Sequence, residues 1–234
     1  MTDRSLPADG HELRSFGRRK GRKPSPRQAR LLADVLPRYA LDLTAPPPRT
    51  AAELFEPAPD RVWLEIGFGG GEHLVWQADR NPAVGHIGAE PFVDGVIKLL
   101  SQIEARGLTN VRIWPDDVRA LLRWLPAGSL DRVFVLFPDP WPKARHRKRR
   151  LIGTDLLDLL SRVMRPGAEL RVATDIGDYA RTVLAAISVH ADYQWRVEGP
   201  SDWRLRADDW PATRYEAKAA REGRRCYFLT LVRR

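Results

Sequence analysis

At 234 residues with 43% hydrophobic content, the chain is long enough for one sizeable core and too short for two full α/β domains. A single cysteine, Cys226, excludes an internal disulfide and a cysteine-rich zinc site; it favours a reducing, cytoplasmic setting, and we assign no metal ligands. No stretch approaches the ~18 apolar residues that a membrane helix needs, and the N-terminal segment does not resemble a signal peptide, so we expect a soluble protein without membrane association.

The net charge of +9 comes from 39 Lys and Arg against 30 Asp and Glu, and the excess is clustered. Residues 13–33 hold eight basic side chains and no acid, and residues 143–150 hold six more together with His146. Clustered positive charge of this kind is typical of proteins that bind a phosphate backbone. The alternative for each cluster is a solvated tail or loop.

The N-terminal part of the chain differs from the rest. Residues 1–25 mix Pro, Gly, Ser and charge without periodicity, which predicts a flexible basic arm that becomes ordered only on a partner. Residues 26–234 are predicted to form a single domain. Its first helical pattern covers residues 27–39 and is separated by three prolines, at 46–48, from a second helical segment, AAELF.

From residue 61 onward, apolar runs alternate with helical patterns. The predicted strands cover residues 61–67, 83–90, 110–117, 131–137, 168–175, 193–199 and 226–232. The predicted helices cover a segment from about Glu72, residues 92–106, a short segment after 117, residues 154–164 and residues 177–190, with a turn at 165–167. This alternation predicts a doubly wound α/β fold, with a mostly parallel sheet and helices on both faces. Ligands of such folds bind beyond the carboxyl ends of the strands.

The first strand ends in LEIGFGGGEHL, whose glycines give a backbone that a cofactor can approach closely. Its register is G-x-G-x-G, with Glu72 where a dinucleotide fingerprint has its third glycine. Glu65 also argues against NAD, because its carboxylate would lie near a pyrophosphate, whereas it can bind an ammonium group directly or through water. Gly67 and Gly69 are therefore candidate cofactor residues, and a plain tight turn is the alternative.

Acids also end the second and third strands. Glu90 stands where a carboxylate accepts hydrogen bonds from both hydroxyls of a ribose, which indicates adenosine without specifying the cofactor. Asp116 or Asp117 can accept from the exocyclic amine of adenine, and Asp117 is equally suited to cap the following helix.

The fourth strand ends in LFPDPWPKARHRKRR, residues 136–150. Phe137, Asp139 and Trp141 each precede a proline, which predicts extended backbone that points Asp139 and Trp141 the same way. A stiff loop with a carboxylate beside an indole suits an extruded base: the indole can stack on the base while the carboxylate accepts hydrogen bonds from it. The alternative is a Pro-Trp turn packed on the core.

Polar residues late in the chain are further candidates. Asp175 ends the fifth strand, where it can face the ligand edge or cap the helix at 177–190. TRYE, residues 213–216, matches a capping box, and Gly223 is expected to end its short helix. The histidines show no partner pattern, and His86 is expected to lie in the core.

Two sets of motifs resemble known families. The G-x-G-x-G loop with its preceding acid, together with the acid ending strand two, resembles class I S-adenosylmethionine-dependent methyltransferases. FPDPWPKARHRKRR, ATD and TRYE together resemble the tRNA (guanine-N7)-methyltransferase family, from about Ser15 onward. The sequence departs from that pattern at Pro142, where His is common, at Arg147, where Asn is frequent, and at Arg214-Tyr215, where Lys-Phe is frequent.

The resemblance implies a seven-stranded Rossmann-like methyltransferase sheet, S-adenosylmethionine as cofactor, and methyl transfer to N7 of a variable-loop guanine in tRNA. The cofactor-binding residues it implies are Glu65, Gly67, Gly69, Glu90, Asp116 and Asp139. The substrate-binding residues it implies are Lys143, Asp175, Thr213, Arg214, Tyr215 and Glu216. The basic run predicts RNA docking by Arg145, His146, Arg147, Lys148, Arg149 and Arg150. Asp139 is the expected catalytic residue, with an orienting and electrostatic role, because guanine N7 carries a lone pair and needs no general base.

Other functions fit the sequence less well. A methyltransferase acting on another RNA or on an exocyclic amine would keep the cofactor and change the acceptor. A non-catalytic RNA-binding protein is disfavoured because the cofactor acids and Asp139 are intact, and an NAD dehydrogenase is disfavoured by Glu72. tRNA is the expected partner, and no obligate protein partner is indicated.

Overall fold

The computed structural model describes Gly17, Arg19, Gly21 and residues 23–234; the rest of the predicted basic arm, within residues 1–25, lies outside the described residues. The described chain contains one seven-stranded sheet. Its strands are Arg61–Ile66 (β1), Val84–Ala89 (β2), Val111–Trp114 (β3), Leu130–Leu136 (β4), Met164–Thr174 (β5), Tyr193–Trp195 (β6) and Tyr227–Arg233 (β7).

The strand order is β3-β2-β1-β4-β5-β7-β6, and β1 to β5 are parallel. β7 is antiparallel to both β5 and β6. The prediction of a mostly parallel, doubly wound sheet is confirmed. β2 is buried along its whole length and β1 everywhere except Arg61, since helices cover both faces of the central strands.

Helices connect the strands and form the two outer layers. They are Pro26–Arg30 (α1), Glu72–Arg80 (α2), Val93–Arg106 (α3), Val118–Trp124 (α4), Thr154–Val163 (α5), Gly177–Val189 (α6), Ser201–Arg204 (α7) and Arg214–Arg221 (α8). α2 and α3 pack with Leu31 and Val35, which follow α1, in one apolar cluster, and α4, α5 and α6 pack in another. Within the part of the chain that the structure describes, no helix is both long and apolar enough to cross a membrane.

Three predicted elements differ in detail. The helix expected at 27–39 begins as α1, continues through a π-helical turn, Leu31–Val35, and ends as a 3-10 turn, Leu36–Arg38. AAELF forms a 3-10 turn, Ala51–Leu54. The turn predicted at 165–167 lies inside β5 and not before it, because β5 already pairs with β4 at Met164, and Gly167 has φ of 82°. Between the pair of Leu130 with Met164 and the pair of Arg132 with Glu169 the register shifts, so that β5 has more residues than β4 there and forms a bulge.

Candidate active site

A cleft of about 330 Å³ lies beyond the carboxyl ends of the parallel strands, where a doubly wound sheet binds its ligands. It is called the strand-end cleft below. Segments distant in sequence meet there, and its walls include Gly67, Gly69, Glu90, Gly95, Asp116, Phe137, Asp139, Trp141, Arg214 and Tyr215. The described residues hold no group of three or more His, Cys, Asp or Glu side chains arranged to bind a metal ion.

The glycine loop after β1 presents bare backbone to this cleft. Gly67 and Gly69 have φ of 72° and 58°, in the left-handed region that favours glycine. Gly95, in the first turn of α3, lets that helix approach the loop closely, since a Cβ there would lie 2.3 Å from the carbonyl oxygen of Gly69. The glycine loop therefore faces the cleft with exposed backbone, which favours the cofactor loop over the plain tight turn.

Glu90 ties the glycine loop to the start of α3. Its carboxylate accepts hydrogen bonds from the backbone N–H groups of Gly69, at 2.8 Å, and Phe92, at 2.9 Å. Burial raises the pKa of Glu90 above its ordinary value, and the nearby negative charges of Asp139 and Glu65 act in the same direction. The side chain is therefore a fixed acceptor on the cleft wall, close to a second carboxylate.

The two candidate acids after β3 have different surroundings. Asp117 caps α4 by accepting from the backbone N–H of Arg119 at 2.8 Å, and it also pairs with that guanidinium. Asp116 instead lines the cleft, where it forms an ion pair of 2.9 Å with Arg19. The carbonyl of Arg19 accepts from the N–H of Val93, at 3.1 Å, so the described part of the arm lies against the cleft.

Glu65 lies beneath the glycine loop and is 4% exposed. Its carboxylate is 2.7 Å from Nδ1 of His73, whose Nε2 is 3.2 Å from the amide nitrogen of Gln77. Because an amide nitrogen only donates, Nε2 accepts and the proton on Nδ1 is donated to Glu65. Direct binding of a cofactor by Glu65 stays a prediction. The sequence showed no partner pattern for His73, yet the structure places it in a network with Glu65 and Gln77 that also includes the carbonyl of Asp209.

The loop after β4, residues 137–142, is called the PDPW loop. Its prediction as extended backbone is wrong at two positions: Phe137 has φ of 51° and Trp141 has φ of 42°. The pre-proline preference is local, and contacts override it here, because the Phe137 N–H donates to Ala173 O at 2.7 Å and the Phe137 ring stacks on Tyr215. The alternation argument for Asp139 and Trp141 therefore does not apply, although both side chains line the cleft.

The segment of residues 143–150 is called the basic segment, and it forms a 3-10 helix, Ala144–Arg149. Lys143, Arg145 and Lys148 are exposed. Two other members lie on the indole of the PDPW loop: the Arg149 guanidinium is 5.0 Å from the centre of the Trp141 ring, and His146 meets that ring edge-on. Desolvation, with the positive charges of Arg149 and Lys143, lowers the pKa of His146.

Arg147 and Arg150 both bind Asp178, in the first turn of α6. Arg147 is half-exposed and lies 2.9 Å from that carboxylate. Arg150 differs from the other residues predicted to dock RNA, because its side chain is only 1% exposed and its guanidinium is paired with Asp178 inside the protein. Placing Arg150 among the RNA-docking residues is therefore corrected: a phosphate cannot reach a group that is already enclosed.

Asp175 lies at the end of β5 and accepts from the guanidinium of Arg224 at 2.7 Å. It is not the cap of α6, whose N-cap residue is Ile176. The half-buried ion pair with Arg224 instead connects the end of β5 to the segment before β7. A substrate-binding role for Asp175 stays a prediction.

TRYE combines a helix cap with part of the cleft wall. The Thr213 hydroxyl accepts from the N–H of Glu216 at 3.2 Å, which confirms the cap, while Glu216 itself pairs with Arg206. Arg214 and Tyr215 line the cleft beside the glycine loop, and Arg214 lies 3.2 Å from the carboxylate of Glu72. Gly223, with φ of 66°, follows the end of α8 as predicted.

Solved structures share this architecture. One is a 16S rRNA (adenine(1408)-N(1))-methyltransferase from Catenulisporales acidiphilia, with a TM-score of 0.52 and 18% identity over 82% of this chain and 91% of that chain. Another is TrmN from Thermus thermophilus, with a TM-score of 0.52 and 15% identity over 75% of this chain and 45% of that chain. The sheet, with its glycine loop and strand-end acids, defines a class I methyltransferase fold.

The sequence places the chain more narrowly. A family model with the description "Putative methyltransferase" matches residues 59–229. A tRNA (guanine-N(7)-)-methyltransferase of Rhodopseudomonas palustris is 47% identical over 93% of this chain and 87% of its own length. One of Rhodospirillum rubrum is 48% identical over 95% and 89%. The chain belongs to the tRNA (guanine-N(7)-)-methyltransferase family.

Proposed function

We propose that this protein transfers a methyl group from S-adenosylmethionine to N7 of a variable-loop guanine in tRNA. The observation that carries the proposal is the meeting, in one cleft, of an open glycine loop, the fixed carboxylate of Glu90 and the PDPW loop with Asp139 and Trp141. The basic segment continues directly from that loop, which suits a substrate whose base enters the cleft while its phosphates stay outside.

The residues of the strand-end cleft fit the cofactor. Gly67 and Gly69 offer backbone without side chains, Glu90 would accept from ribose hydroxyls, and Asp116, which here pairs with Arg19, would accept from the adenine amine. Gly95 lets the start of α3 lie against this loop, since a Cβ there would collide with the carbonyl oxygen of Gly69. When bound, S-adenosylmethionine supplies an electrophilic methyl group on a positively charged sulfur.

The chemistry at guanine requires alignment and charge stabilisation. N7 already carries an in-plane lone pair, so holding it in line with the methyl group supplies much of the acceleration. Trp141 offers a face for stacking the base, and Asp139 can accept from its N1 and N2 hydrogens. Positive charge grows on the purine as the methyl group arrives, and the carboxylate of Asp139 stabilises it.

Nucleoside analysis tests the proposed reaction. The protein is incubated with tRNA that lacks the modification and with methyl-labelled S-adenosylmethionine, and the labelled nucleoside is identified by mass spectrometry. We expect 7-methylguanosine from the variable loop. Label on an exocyclic amine, or only on another RNA, would support a different acceptor, and failure to bind the cofactor in calorimetry would support a non-catalytic RNA-binding protein.

The exposed part of the basic segment is proposed to dock tRNA phosphates. Replacing Lys143, Arg145 and Lys148 with glutamine is expected to reduce the slope of log affinity against log salt by about 2 to 3, since each phosphate contact contributes about 0.7 to 0.9. The rate at saturating tRNA should change little. The measurement is a filter-binding titration at several salt concentrations.

A matched triple variant controls for the loss of three charges. Arg61, Arg106 and Arg123 are exposed and lie at the amino-terminal ends of the parallel strands, away from the cleft. They are near the start of β1 and the ends of α3 and α4. Their replacement with glutamine should leave the salt slope close to that of the wild type. Equal slopes for both triple variants would show that residues 143–150 do not dock the RNA.

The organisation of the chain follows from this substrate. We propose that residues 26–234 act as one methyltransferase domain in the cytoplasm and that residues 1–25 add RNA contacts as a basic arm. The continuous seven-stranded sheet supports a single domain.

A further inference from the structure

We propose that Arg150 is a positioning residue that fixes the PDPW loop in its reactive shape, and that it does not contact RNA. The inference rests on the proposed methyl transfer, because it assigns a role in presenting Asp139 and Trp141 to the guanine. Arg150 is buried, whereas Lys143, Arg145 and Lys148 of the same basic segment are exposed.

The guanidinium of Arg150 joins the loop to α6. Its Nε donates to the carbonyl of Pro140 at 3.0 Å, in the middle of the PDPW loop. Its other nitrogens donate to the carboxylate of Asp178 at 2.6 Å, to the carbonyl of the same residue at 3.2 Å and to the hydroxyl of Thr182. The group also lies over the ring of Tyr179. One side chain thus connects a surface loop to a helix packed in the core.

The PDPW loop needs such an anchor for a reason set by its composition. Pro138, Pro140 and Pro142 have no N–H, so every second residue of the loop is unable to donate a backbone hydrogen bond. Phe137 and Trp141 also hold positive φ, a conformation that non-glycine residues keep only when surrounding contacts impose it. Phe137 is held by the end of β5 and by Tyr215, and Arg150 supplies the donor that holds the middle of the loop.

Lysine cannot reproduce this arrangement. A guanidinium donates in several fixed directions within one plane, which here match the carbonyl of Pro140 and the carboxylate of Asp178. An ammonium group keeps the positive charge but cannot make the same set of bonds. Arg150→Lys therefore separates the two roles, because a docking residue acts mainly through its charge and a positioning residue acts through its geometry.

The kinetic test compares Arg150→Lys with the wild type under single-turnover conditions at saturating tRNA and cofactor. We expect the methylation rate to fall at least tenfold, while the salt dependence of tRNA binding and the cofactor affinity stay unchanged. Asp178→Asn should lower the rate in the same direction. A wild-type methylation rate for Arg150→Lys would overturn the proposal, because a docking role needs only the positive charge that lysine keeps.

Arg171→Lys is the matched control for general damage to a buried arginine. Arg171 is also buried and bonded to two carboxylates, those of Glu169 and Asp209, but it lies away from the PDPW loop. This variant should melt at a lower temperature and keep its methylation rate. An equal loss of rate in Arg171→Lys and Arg150→Lys would contradict a specific role for Arg150.

Hydrogen exchange gives a readout that does not depend on methylation, so failure of the proposed function can be told apart from failure of this inference. In Arg150→Lys, a peptide covering residues 136–143 should take up deuterium faster than in the wild type, while peptides of β1 and β2 should not change. If Arg150→Lys does not fold, Thr182→Val removes one partner of the guanidinium and should increase exchange in the same peptide. Unchanged exchange of that peptide in the folded variants would overturn the proposal.

Discussion

Asp139→Asn is expected to lower the single-turnover rate of methyl transfer by about 10²- to 10³-fold, the range seen when a preorganised electrostatic group is removed. Asparagine keeps the size of the side chain but removes the negative charge that we propose faces the developing purine cation. The amide nitrogen of asparagine can also point toward the N1 and N2 hydrogens of guanine. Both groups are then donors, so that hydrogen bond is lost. Because Asp139 is exposed on the cleft, we expect the variant to fold like the wild type.

The measurement is a rapid-quench assay with enzyme in excess over tRNA, with cofactor affinity determined separately by calorimetry. Asp60→Asn is a suitable control, because Asp60 is an exposed acid just before β1, at the end of the strands that is remote from the cleft. Near wild-type rates for Asp139→Asn, together with normal cofactor affinity, would rule out the electrostatic role.

Glu90→Gln is expected to weaken cofactor binding by about 10- to 100-fold, since a hydrogen bond to a charged group contributes about 1.5–3 kcal/mol. The same substitution also disturbs the acceptor that fixes the Gly69 and Phe92 N–H groups. Calorimetry with S-adenosylhomocysteine measures the affinity without turnover. Glu104→Gln on the outer face of α3 is the control, because Glu104 pairs with Arg30 away from the cleft.

The affinity of the wild type should also depend on pH. Burial raises the pKa of Glu90, so its carboxylate takes up a proton at a higher pH than an ordinary glutamate does. Ribose hydroxyls favour the ionised form, and binding should therefore weaken as pH falls through that raised pKa. Glu90→Gln should lose this part of the dependence; identical pH profiles for variant and wild type would contradict the assignment.

The sheet could be predicted because its signals are local and repeated. Buried parallel strands require nearly continuous apolar runs, and each run here is followed by a helical pattern, so the order of elements follows from the sequence. The acids at strand ends were predictable for the same reason. Choosing between Asp116 and Asp117 was not, because a cap and a ligand site both favour aspartate after a strand and only the three-dimensional partners separate them.

The parts of the site that could not be predicted depend on contacts between distant segments. Phe137 and Trp141 adopt positive φ through bonds and packing that involve β5, α8 and the basic segment. Arg150 belongs by composition to a run of exposed cations, and only its bonds to Asp178 and Pro140 show that it is enclosed. Glu65 likewise has a buried histidine as partner, which spacing alone did not identify.

The position of β7 in the sheet has a consequence for synthesis of the protein. Among the described strands, β6 pairs with β7 alone, and β7 joins it to β5. On the ribosome, β6 and α8 therefore emerge before the strand that connects them to the sheet. Arg214 and Tyr215 begin α8, the last helix before β7, so their side of the cleft is held in place only once β7 has joined the sheet. A nascent chain that stops before β7 would therefore carry the glycine loop and the PDPW loop before the α8 side of the cleft is held against the sheet.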